Sequence, residues 1–452
     1  MPLPNPVIVV PGITATYLRD EYPLPPEVVW SVMTKDYRRA MLHPDNLSIA
    51  NDNPRGTWYE LAQPTRVRHD QVFEVAYQEL IAELRYNLRE KEERPVPVYP
   101  FGYDWRQPLD VIEVHLAEFI AEVIQRTKLM RHYHDSPWAA DPRVNLVGHS
   151  MGGMVIAGYL QRSGAKCRVG KVVSLGTPFR GSFEAVLKIA TGTANLGQPD
   201  SSSREREAAR LTPALYHLLP RFRGAVSLPS GGPSSLYESD AWQRGVHDTI
   251  RDFVKRNGVQ GGSAADRNKQ ADELFESMLD AAADHRDRIE KFRLPDAGLA
   301  TDDWLCVAGV NSKTRVHLHV EMKLGKPEFD LRRSADSDDR WDSNAEDLGP
   351  ISRRTGDGTV PLEGAVPAFL EERNIVCVRP SDFGYWEIGD RALALAAGFH
   401  GILPNMDMLH RMIVRHFTGS ADPHRNTWGW RMPGVKRSEW APPLKLEQRP
   451  KK

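Results

Sequence analysis

Ser150 lies in Gly148-His149-Ser150-Met151-Gly152. The apolar run Val144-Asn145-Leu146-Val147 precedes it, and a helical pattern of Met154, Val155, Ala157 and Leu160 follows at once. Strand, tight turn bearing a serine, then helix is the setting of a nucleophile elbow. The turn strains the serine backbone, so its neighbours must be small, and Gly148 and Gly152 meet that demand. The hydroxyl would then stand above a sheet, at the positive end of the following helix. The competing reading is a glycine-rich turn that only closes a strand; the flanking strand and helix favour chemistry.

A serine hydroxyl is a weak nucleophile. It needs a base, and the base needs an orienting acid. With an elbow the chain order is Ser, then Asp or Glu, then His. Asp357 stands in Gly356-Asp357-Gly358-Thr359-Val360-Pro361, where flanking glycines let a tight turn aim a carboxylate along a sheet edge. Alone, this would be an ordinary Asp-Gly turn. His400, in Gly398-Phe399-His400-Gly401, follows the last strand-like run, 374–378. His410 and His416 fall inside an apolar helical pattern, while His317 and His319 precede Asp357 and break the order. His149, inside the elbow, is read as unable to serve its own neighbour. The reading is acyl transfer: Ser150 attacks an ester carbonyl, His400 carries the proton, and Asp357 fixes the imidazole. The backbone N–H groups of Ile13 and Met151 bind the oxyanion, and water or a second alcohol releases the acyl-enzyme. This chemistry calls for no metal or cofactor.

These residues need a scaffold. Val7-Ile8-Val9-Val10 reads as a strand buried on both faces, stopped by Pro11-Gly12; Ile13 follows in the loop at its carboxyl end, where α/β sheets bind ligands. Helical patterns cover 72–88 and 109–132, and strands fall at 96–99, 144–149, 171–176, 304–310 and 374–378. This alternation predicts a doubly wound, mostly parallel sheet, the α/β-hydrolase fold, with core segments 1–180 and 301–420. Residues 181–300 read as an inserted helical cap whose charged runs, 205–207 and 284–288, face solvent. Residues 17–70 read as irregular, with Trp30, Trp58 and Tyr59 packing, lining an entrance or meeting a lipid surface. Residues 332–356 read as a surface loop. The tail, 421–452, carries Trp428, Trp430 and Trp440, which either pack back or meet a partner.

Charge is balanced, with 59 Lys+Arg against 60 Asp+Glu, which leaves no basic field for nucleic acid. Three scattered cysteines, Cys167, Cys306 and Cys377, sit in apolar stretches as free buried thiols, as a reducing compartment would allow. No leader or membrane-spanning run is evident, so a cytoplasmic protein is the plain reading.

With these pieces placed, the chain resembles the lecithin:cholesterol acyltransferase-like branch of α/β-hydrolases, which includes phospholipases A. The matching segments are Pro6 to Gly12, Val29-Trp30, Tyr103-Asp104-Trp105-Arg106, Gly148 to Gly153, Leu175-Gly176-Thr177-Pro178, Gly181-Ser182, Ala214 to Pro220, Gly356 to Pro361 and His400. The resemblance implies the same triad, an oxyanion amide at Ile13, acyl-ester substrates that are often lipids, and transient contact with a membrane surface. The chain departs from secreted relatives in lacking cysteines near the first loop and cap, and its cap is more charged than a lipid-docking surface. Asp104 and Arg106 read as a structural pair. Three functions compete: an ester hydrolase of the lipase/phospholipase kind, an acyltransferase, and a non-catalytic binding module on the same scaffold.

Overall fold

The computed structural model describes residues 3–31, 34–36, 40, 66–193, 203–257, 263–330, 355–384, 387 and 398–446. Trp58, Tyr59 and nearly all of 332–356 lie outside them.

Six strands form one parallel sheet: β1 (Val7–Val10), β5 (Val98–Pro100), β6 (Val144–His149), β7 (Val169–Leu175), β9 (Trp304–Gly309) and β12 (Ile375–Val378). Their order across the sheet is β12-β9-β7-β6-β1-β5. Continuous apolar runs form these strands because both faces are covered. Ile8 and Val10 point into one apolar cluster with helices Leu109–Lys128 and Met151–Ser163. Val7 and Val9 point into the other, with helices Glu74–Asn87 and Asp407–Thr418. The strand order reverses between β1 and β6, so a crevice opens at the carboxyl ends of those two strands. Gly12 and Ser150 both lie there.

Residues 17–70 are less irregular than their composition suggests. β2 (Thr16–Asp20), β3 (Glu27–Trp30) and β4 (Val67–Val72) form an antiparallel sheet in the order β3-β2-β4. The buried face of β2 carries Thr16 and Asp20 as well as Leu18, so no apolar alternation marks it. Asp20 instead accepts the amides of Tyr22 and Arg66, tying strands far apart in sequence. Trp30 is 5% exposed and packs on Trp105 with ring centroids 4.9 Å apart, which makes it a packing residue.

Between β7 and β9 the chain is mainly helical: Phe183–Thr191, Ser203–Arg210, Pro213–His217, Arg244–Asn257 and Ala264–Lys291. A two-residue strand, β8 (Val226–Ser227), joins the hairpin of β10 (Leu318–Lys323) and β11 (Lys326–Asp330) in a third sheet. Ile250, Phe253, Leu274, Phe275 and Met278 share the apolar cluster of the main sheet, so this segment and the sheet have one continuous core.

The two charged runs of this segment correct the expectation of solvated helix faces. Glu205 and Glu207 are 5% and 4% exposed, and His285 and Arg286 are 1% exposed. His285 Nε2–H donates to Glu113 Oε1 at 2.8 Å, and Arg162 and Arg288 reach Glu113 Oε2 at 3.2 and 3.5 Å. In the second run the charges sit inward because Glu113, fully buried on helix Leu109–Lys128, supplies the counter-charge, whereas Glu207 of the first run pairs with Arg256.

The tail packs back along the sheet edge. Trp430 exchanges backbone hydrogen bonds with Cys377 of β12, and Trp428 and Trp430 donate their indole N–H groups to Asp382 at 3.2 and 2.9 Å. The last apolar strand is thereby covered. The three cysteines are buried and free. Among the described residues no helix is long and apolar enough to cross a membrane.

Candidate active site

Ser150 is the residue between β6 and helix Met151–Ser163, with φ 53° and ψ −129°. A non-glycine residue with positive φ costs about 1–3 kcal/mol and persists only where its surroundings fix it. Here the Ser150 N–H donates to Leu175 O at 2.9 Å, and Gly12 packs so closely that a Cβ on it would lie 3.0 Å from Ser150 Cβ. Gly152 passes directly against the carbonyl oxygens of Val10 and Pro11, where any side chain would collide with backbone. Gly152 is thus demanded by close packing of β1 on the elbow, and Gly148 by the helix that follows, where a Cβ would lie 2.7 Å from Gly153.

His400 Nε2 lies 2.9 Å from Ser150 Oγ, and His400 Nδ1 lies 2.7 Å from Asp357 Oδ2. The polarity follows from the acid. A carboxylate oxygen only accepts, so Nδ1–H donates to Asp357, Nε2 is the free acceptor of the neutral ring, and Ser150 O–H donates to it. Asp357 is 1% exposed, and its Oδ1 accepts the amides of Thr359 at 2.9 Å and Val360 at 2.7 Å. His400 is tied to the same turn, since its N–H donates to Asp357 O at 3.1 Å. Gly176, at φ 55°, runs under the pair; a Cβ there would meet Asp357 Oδ2 at 2.9 Å and His400 Nδ1 at 3.2 Å. Three residues separated by more than 200 positions of sequence at the extremes are within hydrogen-bond reach in the order Ser, His, Asp.

Ile13 lies one residue beyond Gly12 in the loop after β1, half-buried against the core. Met151 opens the helix after the elbow, where the first N–H groups have no partner within the helix. The Ile13 loop is braced from outside. Tyr103 O–H donates to Pro11 O at 2.8 Å, Trp30 Nε1 to Thr14 O at 3.3 Å, and Trp105 Nε1 to Thr16 O at 3.1 Å. Asp104 and Arg106 pair through two hydrogen bonds, Nε–Oδ1 at 2.8 Å and Nη2–Oδ2 at 2.7 Å. Burial alone would raise the Asp104 carboxyl, but the Arg106 guanidinium holds it below its ordinary value. The Tyr103–Arg106 segment is therefore the support of the loop, and Asp104 and Arg106 have the structural role expected of them.

Two residues near the serine escape sequence reasoning. Tyr77 looks like one more apolar position of helix Glu74–Asn87, and His149 faces away from its neighbour's hydroxyl. Yet Tyr77 Oη is 2.7 Å from His149 Nδ1, and His149 Nε2 is 2.9 Å from His400 O. Only the presence of a polar atom on each marks them in sequence.

A family model described as lecithin:cholesterol acyltransferase matches residues 74–364, well over half of the chain. The chain belongs to the lecithin:cholesterol acyltransferase family. The matched span of this family contains Ser150, Asp357, Tyr77 and the Tyr103–Arg106 segment, while Ile13 and His400 come to the site from outside it. Family membership makes the chain an enzyme acting on acyl esters. Among solved structures, the chain is similar to the one titled "The crystal structure of Tle4-Tli4 complex", with 16% identity over 93% of this chain and 100% of that one, at TM-score 0.58. It also matches phospholipase PlaB from Legionella pneumophila, with 14% identity over 56% of this chain and 37% of that one, at TM-score 0.25. Comparison with curated proteins returns no match. The six-stranded parallel sheet with helices on both faces is an α/β-hydrolase fold, as expected from the sequence.

Proposed function

We propose that this member of the lecithin:cholesterol acyltransferase family hydrolyses acyl esters of lipids through Ser150, His400 and Asp357. The observation that carries the reading is the continuous hydrogen-bonded chain from Ser150 Oγ through His400 to Asp357, with its polarity set for proton removal from the serine. Ser150 attacks the ester carbonyl as His400 Nε2 takes its proton. The developing oxyanion is held by the Ile13 and Met151 amides and by the positive end of helix Met151–Ser163. Asp357 stabilises the imidazolium without taking its proton. The imidazolium protonates the leaving alcohol, and water, activated by the same His400, releases the acid. The residues 181–300 and the hairpin β10–β11 act as the cap that screens this step from bulk water, and a membrane surface is the transient source of substrate.

Transfer to an alcohol in place of water is the second reading, favoured by the family's own description. Purified protein should cleave p-nitrophenyl butyrate, and Ser150→Ala should abolish turnover. Unchanged turnover in that variant contradicts the proposal. Product analysis of phospholipid incubations, with and without a long-chain alcohol, separates free acid from transferred ester.

A further inference from the structure

Three segments must meet at the site: the loop after β1, the elbow and the His400 turn. Tyr77 and His149 touch all three, although neither has a part in the proposed proton transfer. The Gly12 N–H donates to Tyr77 Oη at 2.9 Å. Tyr77 Oη lies 2.7 Å from His149 Nδ1, and His149 Nε2 lies 2.9 Å from His400 O. The polarity of this chain is fixed from its far end. A carbonyl oxygen only accepts, so His149 Nε2–H must donate to His400. In the neutral ring Nδ1 is then an acceptor, so Tyr77 O–H donates to it, and the phenol oxygen is free to accept from Gly12. Every donor has an acceptor, in one direction only.

The surroundings agree with a neutral ring. His149 is 5% exposed, and burial, with the neighbouring His400, pushes its imidazole down to about 3. Burial pushes the Tyr77 phenol up, so it keeps the proton it donates. The His149 and His400 rings lie 5.0 Å apart, so a charged His149 would oppose the imidazolium that forms on His400 during turnover.

We propose that Tyr77 and His149 are positioning residues: their relay holds the Ile13 amide and the His400 ring at one distance from Ser150. The inference rests on Ser150, His400 and Asp357 being the reacting groups. Gly12 precedes Ile13, so clamping its N–H anchors the Pro11–Gly12 peptide from which the Ile13 amide extends, and the Ala15 N–H holds the carbonyl of the next peptide, Gly12 O, at 3.3 Å. His400 is gripped through its own N–H by Asp357 and through its carbonyl by His149, which leaves the imidazole little freedom to drift.

The test is kcat per active site, with sites counted by stoichiometric fluorophosphonate titration and p-nitrophenyl butyrate as substrate. Tyr77→Phe removes one oxygen and keeps the ring. Its kcat per titrated site should fall about ten- to a hundredfold, the scale of a small misplacement of reacting groups. KM should stay within about twofold, because the ester itself touches neither residue. His149→Gln keeps an N–H able to reach the His400 carbonyl and should retain clearly more activity per site than His149→Leu. Should His149→Leu fail to fold, Tyr77→Phe decides alone. The relay is overturned if Tyr77→Phe keeps the wild-type kcat per titrated site and loses only thermal stability. A wild-type protein that neither titrates nor turns over, or a Ser150→Ala variant that stays active, overturns the site assignment and the relay together.

Discussion

At the scale of single residues, the proposed reaction turns on tautomers. Asp357 faces His400 Nδ1 and forces the free lone pair to Nε2, toward Ser150. Asp357→Asn should leave the fold intact, since an amide oxygen can still accept from Thr359 and Val360. It would also let the side chain present N–H where Asp357 Oδ2 now accepts, which favours the opposite tautomer. We expect kcat for p-nitrophenyl butyrate to drop by about four orders of magnitude with little change in KM. A loss below tenfold, measured on variant of wild-type melting temperature, would remove Asp357 from the mechanism (about one unit of logarithm is within what positioning alone can do). The residue scale is also where sequence reading is weakest. Ser150, Asp357 and His400 stand out in the sequence because each has glycine within two residues of it and the three follow the order Ser, Asp, His that an elbow requires. Tyr77 and His149 were not, because their roles depend on a contact between residues 72 positions apart and on the backbone of a third segment.

At the scale of elements, the parallel strands were legible because burial on both faces writes an unbroken apolar run. The sheet β3-β2-β4 was not, because β2 buries Thr16 and Asp20 and finds its partner β4 beyond a long excursion. The charged run 284–288 misled for a related reason: two of its side chains, His285 and Arg288, meet a buried carboxylate, Glu113, while Asp284 faces water as expected. This junction holds three helices together. Gly158, on helix Met151–Ser163, lies against the Glu113 carboxylate, and a Cβ there would collide with it and approach His285 Nε2 at 3.0 Å. Gly158→Ala should therefore destabilise the protein by about 1–3 kcal/mol, the usual cost of overpacking, despite the higher helix propensity of alanine. A denaturant melt checks it; a variant as stable as the parent would show that the junction yields easily.

At the scale of the whole molecule, the fold class was legible from alternating strands and helices, and the helical segment between β7 and β9 from the place where that alternation stops. That this segment and the sheet share one apolar core was not, because the contacts are long-range. The burial of ionisable side chains has a global consequence. His149, His217, His285, His410 and His416 all have imidazoles pushed below the ordinary 6.5, with burial the largest cause in each. The unfolded chain binds protons on these groups as pH falls through 6.5, and the folded chain does not. Their contribution to stability is therefore complete above that pH and is lost on acidification, toward about 3 for His149 and His416. Glu113, Glu184 and Glu387, raised by burial above the ordinary 4.5, act in the opposite sense but are fewer. The melting temperature should fall steadily from about pH 7 to about pH 4.5. A flat profile over that window would mean that these histidines take up protons in the folded state.

The central claim is that Ser150 is a nucleophile activated by His400. Mass spectrometry of the intact protein and its peptides after reaction with a fluorophosphonate tests it most directly. One adduct per chain is expected, on Ser150, that blocks ester cleavage and fails to form in Ser150→Ala and His400→Ala. An unlabelled Ser150 in a protein that cleaves esters, or an inactivating adduct on another residue, would contradict it.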